Sequence, residues 1–272
     1  MKLKLSILFA FIVSFSFTQK QTFLSRSEIG LLLGGSYYIG DLNQYGHFKN
    51  TQPALSLLYR FNLNHRVAWR VNVSYGNVRA SDNDARNQVI KNRNLNFSTN
   101  IFEAATGVEF NYFPFQFGHP RYNATAYLLA EIGVFAMNPV TNINGEKVEL
   151  QPLGTEGQGS ELSSKGHYSR TQLTIPLGFG FKASLGPRVS LGVEYAIRKT
   201  FTDYIDDVGS NRYVNTAELV EVNGPLAASL SNRSLDQSNY GKRGNSSTKD
   251  WYSFFGATIT MRMGGPKKCA QP

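Results

Sequence analysis

The chain has 272 residues, of which 28 are basic and 19 acidic, so its formal net charge is +9; its mean hydropathy is -0.28. The one cysteine, Cys269, excludes an internal disulfide. After the N-terminal segment, no stretch approaches the about 20 consecutive apolar residues that a membrane-spanning helix needs. A helical membrane protein is thereby excluded, but a transmembrane β-barrel is not, because its strands alternate and average to a modest hydropathy.

The N-terminus reads MKLKLSILFAFIVSFSFTQKQ, with two lysines, an apolar run from Leu5 to Phe17, and then small polar residues. This order is typical of a secretory signal peptide, which we predict at residues 1–18. The alternative is an N-terminal anchor helix, which the shortness of the run disfavours. Removing the signal lowers the net charge to +7, which suits contact with anionic lipid headgroups or an acidic partner, although the basic residues are spread along the sequence.

Eight segments alternate apolar and polar residues, the period of a β-strand whose side chains point in turn to its two faces. In VSLGVEYAIRK, for example, the apolar residues share one parity while Glu194 and Arg198 share the other. Pro176 lies within the sixth segment and has no N–H to donate, so we expect a bulge or a local break there. The predicted strands are 28–39, 53–61, 67–76, 102–112, 122–136, 172–184, 189–199 and 251–263.

The connections between these strands alternate in length. The short ones are 62–66, 114–121 and 185–188, and the long ones are 40–52, 80–95, 138–169 and 202–250. Outer-membrane barrels have an even number of strands, short periplasmic turns and long outer loops. The pattern predicts an all-β fold, an eight-stranded antiparallel transmembrane β-barrel at residues 19–263 with short periplasmic turns and long extracellular loops. Both termini are then periplasmic, with a short tail at 264–272.

The polar parity of the strands carries as many acidic as basic residues. An eight-stranded barrel is narrow enough for side chains to fill it, and a charge buried there must be paired. We therefore predict a plugged lumen lined by ion pairs. Its predicted members are Glu28, Arg60, Arg70, Glu103, Glu109, Glu131, Lys182, Glu194, Arg198 and Arg262.

The apolar parity carries aromatic residues toward the strand ends, where aromatic girdles lie at membrane interfaces. A soluble barrel of the lipocalin type is the alternative, with the apolar parity turned inward around a ligand. The charged parity has few lysines and aspartates and many glycines, which favours the membrane barrel. The predicted girdle comprises Tyr37, Tyr59, Phe61, Trp69, Tyr75, Phe110, Tyr112 and Trp251.

Few residues point to bound metals or cofactors. The four histidines, His47, His65, His119 and His167, lie in different connections without metal-ligand spacing, and neither CxxC nor HExxH occurs. The segment DYIDDVG at 203–209 offers three carboxylates but lacks EF-hand spacing, so we interpret it as a solvated loop rather than a calcium-binding turn. We expect neither a metal nor a cofactor.

The segment GHYSR places His167 and Ser169 on one parity where a long loop enters a strand. Some eight-stranded outer-membrane lipid deacylases use a His-x-Ser pair with a carboxylate, and a serine nucleophile needs a base and a group that orients the base. The sequence does not identify the acid here, because Glu194, the inward carboxylate nearby in sequence, is expected in the lumen. We predict that the chain is not an enzyme; a lipid-modifying hydrolase and a narrow pore are the alternatives.

Four stretches resemble one family beyond generic barrel patterning. They are LLLGGSYYIGDLN in the first strand, LQPLGTEGQG in the third loop, RKTFTDYIDDVG after the seventh strand and RGNSSTKDWYSFFGATI before and within the last. In this order they resemble the PorG-type outer-membrane proteins of the type IX secretion system, over nearly the whole mature chain.

The resemblance implies a small outer-membrane barrel that associates with the periplasmic ring of a protein-secretion apparatus, a ring built from a lipoprotein and its partner protein. In gliding bacteria this machinery also supports motility. We therefore expect an anchor or assembly component whose partners are outer-membrane lipids and the two ring proteins, and not nucleic acid. The family supplies no catalytic residues to carry over. The turns around His119 and the tail from Gly264 would offer surface to the partner.

Overall fold

The computed structural model describes residues 26–143, 145–236, 238–239 and 241–264. The predicted signal peptide (1–18) lies outside the described residues, as does the predicted tail beyond Gly264, with Cys269.

Nine β-strands lie in the described part of the chain, and eight of them are long. They are β1 Ser27–Ile39, β2 Gln52–Asn62, β3 Val67–Ser81, β4 Asn96–Asn111, β5 Ala124–Ile143, β6 Glu146–Glu149, β7 Thr171–Ser184, β8 Val189–Thr200 and β9 Trp251–Arg262.

The eight long strands close into a barrel in the order β1-β2-β3-β4-β5-β7-β8-β9, and β9 pairs back onto β1. Every neighbouring pair is antiparallel. The predicted eight-stranded antiparallel barrel is confirmed. The short β6 pairs with the far end of β5 and lies outside the closed ring. The barrel has a turn end, with the connections 63–66, 112–123 and 185–188, and a loop end, with the four long connections.

Three strands extend farther toward the loop end than the sequence predicts: β3 runs to Ser81, β4 begins at Asn96, and β5 runs to Ile143. The polarity of the two faces reverses in these extensions. Asn77 and Asn100 point outward and are hydrogen-bonded to each other at 2.8 Å, whereas inward residues such as Ile101 and Met137 are buried. A polar outside and an apolar inside is the arrangement of a barrel in water, so these extensions project beyond the lipid-facing belt.

The predicted local break at Pro176 is confirmed on one side of β7. The pairing of β5 with β7 skips Pro176 and Ile175, then resumes in the same register. The pairing of β7 with β8 continues through Pro176 opposite Arg198. The proline therefore interrupts one ladder without the extra residue that would make a bulge.

Among the residues that the structure describes, the loop end carries three short α-helices, α1 Gln88–Arg93, α2 Thr216–Asn223 and α3 Pro225–Ser231. Asn87 caps α1 through the Val89 N–H, and Asn215 caps α2 through the Ala217 N–H. Over the described ranges, none of the helices is long and apolar enough to cross a membrane.

The core lies in the loop-end half of the barrel, where inward strand residues meet residues of the long loops. Ile205 and Val208 from the β8–β9 loop pack into it beside Phe97, Phe135 and Phe254. The β8–β9 loop therefore packs into the loop end of the barrel and covers the lumen, and it does not extend into solvent.

Candidate functional site

The middle of the lumen is crossed by Arg70 of β3. Its guanidinium makes a two-point contact with Glu194 of β8, at 2.9 and 3.0 Å. It also lies 2.9 Å from Glu131 of β5 and 3.2 Å from Glu109 of β4. Because β3 and β8 stand on opposite sides of the ring, this one side chain ties the barrel walls together across the lumen.

Glu109 joins three cations nearer the turn end. Arg60 Nε lies 2.6 Å from Glu109 Oε2, and Lys182 Nζ lies 2.6 Å from Glu109 Oε1. Arg60 also lies 3.7 Å from Glu28, whose other oxygen accepts a hydrogen bond from Asn62 at 2.7 Å. Together with Arg70, these two cations place three positive groups within hydrogen-bond reach of one carboxylate and supply the pairing that a buried charge requires.

A second layer lies toward the loop end, where Arg198 of β8 and Tyr252 of β9 both contact Glu103 of β4. Arg198 Nε is 3.3 Å from Glu103 Oε2, and the Tyr252 hydroxyl donates to the same oxygen at 2.6 Å. The Arg198 guanidinium also lies over the Phe254 ring at 4.6 Å. This contact marks the boundary between the ionic layer and the apolar layer above it.

One member of the predicted lumen set lies apart. The Cα of Arg262 is opposite Glu28 in the β1–β9 register, but its side chain is half-buried at the turn-end mouth. Among the described residues, its Nε is buried without a hydrogen-bond partner, and no ion pair within 4.0 Å joins it to the network. Arg60, which is opposite Glu28 in the register of the neighbouring strands β1 and β2, lies 3.7 Å from the Glu28 carboxylate instead.

The predicted aromatic residues fall near both ends of the strands. At the turn end, the rings of Tyr59 and Trp69 meet edge to face at 6.4 Å, and Phe110 and Tyr112 are exposed. Phe61 pairs with Trp69 across strands. Toward the loop end, Tyr75 is exposed and Trp251 lies under Lys199 Nζ at 4.3 Å.

Tyr37 does not face lipid or water, contrary to its predicted place in the girdle. Its side chain is 0% exposed, because the β1–β2 loop folds over the outside of the barrel. Phe48 packs on its ring at 5.1 Å, and its hydroxyl lies 3.0 Å from His47 Nδ1 and 2.7 Å from the Tyr195 hydroxyl. Phe48 is the exposed residue at this position.

The segment 203–209, interpreted from sequence as a solvated loop, is buried. The Tyr38 hydroxyl lies 2.6 Å from Asp206 Oδ2 and 2.6 Å from Asp250 Oδ1, and Asp250 Oδ2 accepts from the Ile205 N–H at 2.9 Å. The tyrosine hydroxyl has one proton and can donate it to only one of the two carboxyl groups. The arrangement of Asp206 and Asp250 around Tyr38 is therefore stable when one of the two carboxyl groups is protonated. Burial raises the pKa of both Asp206 and Asp250, and the charge of the neighbouring carboxylates raises it further.

The other half of this site surrounds Arg243. Its NH1 donates to Glu156 Oε1 and, at 3.2 Å, to the Asp207 carbonyl oxygen. Glu156 Oε1 also accepts the Gly209 N–H at 3.1 Å, and the Tyr168 hydroxyl donates to Asp207 Oδ1 at 2.7 Å. Burial raises the pKa of Asp207 to about 6 against the opposing charge of Arg243.

These residues form one loop-end cluster, which joins all four long connections and the adjoining strand β1. Asp41 belongs to it through the Asn245 N–H, which it accepts at 2.9 Å, and Arg93 connects it to the β3–β4 loop by donating to the Asp41 carbonyl oxygen at 3.1 Å. The loop-end cluster consists of Tyr38, Asp41, Arg93, Thr155, Glu156, Tyr168, Asp206, Asp207, Arg243 and Asp250.

His167 and Ser169 are both exposed and bound to backbone. His167 Nδ1 lies 3.0 Å from the Gln151 carbonyl oxygen, and the Ser169 hydroxyl donates to the Thr171 carbonyl oxygen at 3.0 Å. Glu194 is held in the lumen by Arg70 and by the Tyr127 hydroxyl at 2.7 Å. The three groups are therefore not aligned as nucleophile, base and orienting acid. No group of three or more His, Cys, Asp or Glu side chains that could hold a metal ion occurs among the residues that the structure describes.

A family model described as "Domain of unknown function (DUF6089)" matches residues 3–154, more than half of the chain. The chain belongs to this family. A search of curated proteins finds no match to the DUF6089 chain.

Among solved structures, the DUF6089 chain is similar to three barrels. Neisserial surface protein A shares 8% identity at a TM-score of 0.43, with 87% of this chain and 97% of that chain covered. Ail, the attachment invasion locus protein of Yersinia pestis, shares 13% identity at a TM-score of 0.41, with 88% and 99% covered. The N-terminal β-barrel domain of Pseudomonas aeruginosa OprF shares 7% identity at a TM-score of 0.35, with 88% and 99% covered.

The side-chain distribution of the DUF6089 barrel itself indicates its solvent. The outer face presents a continuous belt of exposed leucine, isoleucine, valine and phenylalanine, among them Leu33, Phe102, Leu128, Ile132 and Val193. A patch of this kind would be a liability in water, whereas the ionic side chains face inward. This is the inside-out arrangement of a transmembrane barrel, so the chain is an outer-membrane type β-barrel and not a lipocalin-like carrier.

Sequence reasoning missed the loop-end cluster. Its members come from segments more than 100 residues apart, such as Tyr38 and Asp250, and loops carry no periodicity that would predict which side chains meet. One signal was present: Ile205 and Val208 lie among the aspartates of DYIDDVG, and apolar residues at these positions favour a buried loop.

Proposed function

We propose that this DUF6089 protein is an anchor or assembly component of a type IX protein-secretion apparatus, and that its turn end faces the periplasm and contacts the ring lipoprotein and its partner protein. The role is positional and not enzymatic. The barrel holds a fixed place in the outer membrane, and its turns present a surface to the ring.

One observation carries this proposal. The four stretches that resemble PorG-type proteins are far apart in sequence, yet each contributes side chains to the loop-end cluster: Tyr38 and Asp41 from the first, Glu156 from the second, Asp206 and Asp207 from the third, and Arg243 and Asp250 from the fourth. The resemblance therefore concerns one three-dimensional unit. A closed barrel with a fixed cap suits a scaffold better than a route for substrate.

The turn end is rigid enough to serve as a docking face. The Phe115 N–H donates to the His65 carbonyl oxygen at 2.9 Å, and the Gly118 N–H donates to Ser184 Oγ at 3.0 Å. Gly118 has a φ of +66°, and a Cβ there would lie 3.0 Å from the Pro187 Cα. The three turns thus form one packed surface.

Site-specific photo-cross-linking in outer membranes tests the proposal. A photoreactive residue at exposed Pro120 in the β4–β5 turn should yield an adduct that mass spectrometry identifies as the ring lipoprotein or its partner. The same residue at Tyr45, which is 88% exposed in the β1–β2 loop, should not yield it and serves as the matched control. Capture of neither ring protein at Pro120 and at other turn positions, or equal capture from Tyr45, would refute the docking role.

A further inference from the structure

The basic excess of the chain, spread along the sequence, is gathered by the fold at the turn end. One arginine lies in or beside each turn and each terminal strand there: Arg26, Arg66, Arg121, Arg188 and Arg262. The turn connections contain no acidic residue, and the nearest carboxylates, Glu28 and Glu109, are buried and already paired. The loop end is different, because acidic residues outnumber basic ones in its four connections.

Two of these arginines share a short turn with an exposed apolar side chain. Leu63 shares the β2–β3 turn with Arg66, and Leu185 shares the β7–β8 turn with Arg188; the two leucines are 56% and 67% exposed. Both turns contain only four residues between their strands, so their arginines cannot rise far above the lipid-facing belt. A cation directly beside apolar surface lies at the depth of lipid headgroups.

The three arginines of the turns present their side chains to solvent. Arg121 and Arg188 are exposed. Arg66 uses one nitrogen to donate to the Tyr112 carbonyl oxygen at 2.6 Å, which holds its fork at the rim beside the exposed Tyr112 ring. Guanidinium groups bind phosphate by two parallel hydrogen bonds.

We propose that the three turn arginines, Arg66, Arg121 and Arg188, form a phosphate-binding ring that selects anionic phospholipids, such as phosphatidylglycerol, around the turn end of the barrel. The arginine ring fixes the depth of the barrel in the membrane through its charge, and the aromatic residues fix the same depth through apolar contact with lipid. An acidic protein is the other conceivable partner. The short turns and their exposed apolar side chains favour lipid as the partner. They place the arginines at the membrane surface, because turns of this length cannot project far from it.

The two tryptophans of the chain make the proposal testable at each end separately. Trp69 lies three residues after Arg66 at the turn end, and Trp251 lies at the loop-end start of β9. The full chain, with Trp251→Phe, is reconstituted in phosphatidylethanolamine vesicles that contain a small fraction of brominated phosphatidylglycerol or, in parallel, brominated phosphatidylethanolamine. Brominated phosphatidylglycerol should quench the fluorescence of Trp69 more strongly than brominated phosphatidylethanolamine does. We expect the concentration of phosphatidylglycerol beside Trp69 to exceed its concentration in the bulk bilayer by a factor on the order of five.

Two variants and a salt titration decide the outcome. R66Q/R121Q/R188Q should abolish the preference, whereas R86Q/R212Q/K242Q, which removes three exposed cations from the loop end, should preserve it. When the three turn arginines are present, about 1 M salt should also abolish the lipid preference, because the Debye length falls to about 3 Å. This salt experiment does not depend on the folding of the triple arginine variant. With Trp69→Phe, Trp251 should show no comparable preference.

Equal quenching of Trp69 by the two brominated lipids would overturn the proposal, as would a preference that survives both high salt and R66Q/R121Q/R188Q. If the triple variant retains its lipid preference but loses the cross-link to a ring protein, the arginines serve a protein partner and the lipid ring is wrong. If the triple variant loses the lipid preference but keeps the cross-link to a ring protein, the result supports the arginine–lipid proposal. The proposed secretion role is then also supported, independently of the arginines.

Discussion

Arg70 contacts carboxylates on three strands and lies almost fully buried in the lumen. A buried ion pair contributes little compared with an apolar pair of equal volume, but removing one partner leaves the other charge stranded at a cost of about 3–5 kcal/mol. The lumen network therefore specifies the arrangement of the barrel walls more than it adds to the net stability. Its members depend on one another.

Replacing Arg70 with methionine should lower the free energy of unfolding by about 3–5 kcal/mol, because Glu131 and Glu194 lose their main cation. Guanidinium unfolding in detergent micelles, followed by tryptophan fluorescence, measures the change. Arg79→Met is the control: Arg79 is on the same strand but exposed, and its replacement should change stability by no more than about 0.5 kcal/mol. Equal losses for the two variants would contradict the role of the network.

Tyr38→Phe should weaken the loop-end cluster without disturbing the barrel. The substitution removes the hydroxyl that lies between Asp206 and Asp250, and an unsatisfied buried group costs about 1–3 kcal/mol. Limited proteolysis of the folded variant should then cut the β8–β9 loop faster than in the wild-type protein. The shift in electrophoretic mobility between unheated and heated samples, which reports a folded barrel, should stay unchanged. Tyr45→Phe, in the exposed part of the β1–β2 loop, should leave the cutting rate as it is.

At the scale of elements, the alternation of residues was enough to predict the eight long strands and their closure. It failed where the environment changes. In β4, Glu103 and Glu109 point inward at the level of the belt, whereas Phe97 and Ile101 point inward above it. A rule that places charge inside and apolar residues outside therefore predicts β3, β4 and β5 too short, because it stops at the upper edge of the lipid belt.

The loop elements were beyond sequence reasoning for a different physical reason. Strand pairing repeats every two residues, but the contacts of Glu156 with Arg243 and of Thr155 with Asp207 depend on where two long loops happen to cross. Asp207 adopts a positive φ of 65°, which aspartate tolerates better than most residues. The folded chain shows which contacts bury this turn.

The β8–β9 loop should be more stable at pH 5.5 than at pH 8. Burial raises the pKa of Asp203 and of Asp207 to about 6 from an unfolded value of 3.8. The folded loop thus binds more protons than the unfolded loop between these values, so stability falls as pH rises through about 4 to 7 and stays low above that range. For Asp207 alone, the whole loss of stability from below pH 4 to above pH 7 is on the order of 3 kcal/mol, of which about 1 kcal/mol falls between pH 5.5 and pH 8.

Hydrogen exchange measures this pH effect. Protection factors, corrected for intrinsic exchange, should be higher at pH 5.5 for the peptide that contains Ile205, Val208 and Gly209. Asp207→Asn should weaken the dependence, because the amide cannot titrate, whereas Asp203 still does. Asp236→Asn, at an exposed position of the same loop, should leave it unchanged; protection that rises with pH would contradict the assignment.

On the scale of the whole molecule, the barrel is filled in four successive layers. Phe115 and Phe117 of the β4–β5 turn are buried at the turn end, with Lys182 Nζ over the Phe115 ring at 4.7 Å. Above them come the ion pairs around Arg70, then the apolar layer, and last the loop-end cluster. Each layer draws on side chains from several strands, and an eight-stranded barrel has an interior that such side chains can fill.

This layering predicts that the protein does not conduct ions when it is incorporated into planar bilayers. Ions would have to displace ion pairs that cross the lumen, among them Arg70–Glu194 and Arg198–Glu103, and then pass the loop-end cluster. A double variant, Arg70→Ala with Tyr127→Ala, shortens two side chains that meet at Glu194 and should raise brief current bursts above the wild-type baseline, provided that its heat-modified gel mobility shows a folded barrel. Sustained open-channel current from the wild-type chain would mean that the layers open together, and the positional role would then give way to that of a narrow pore.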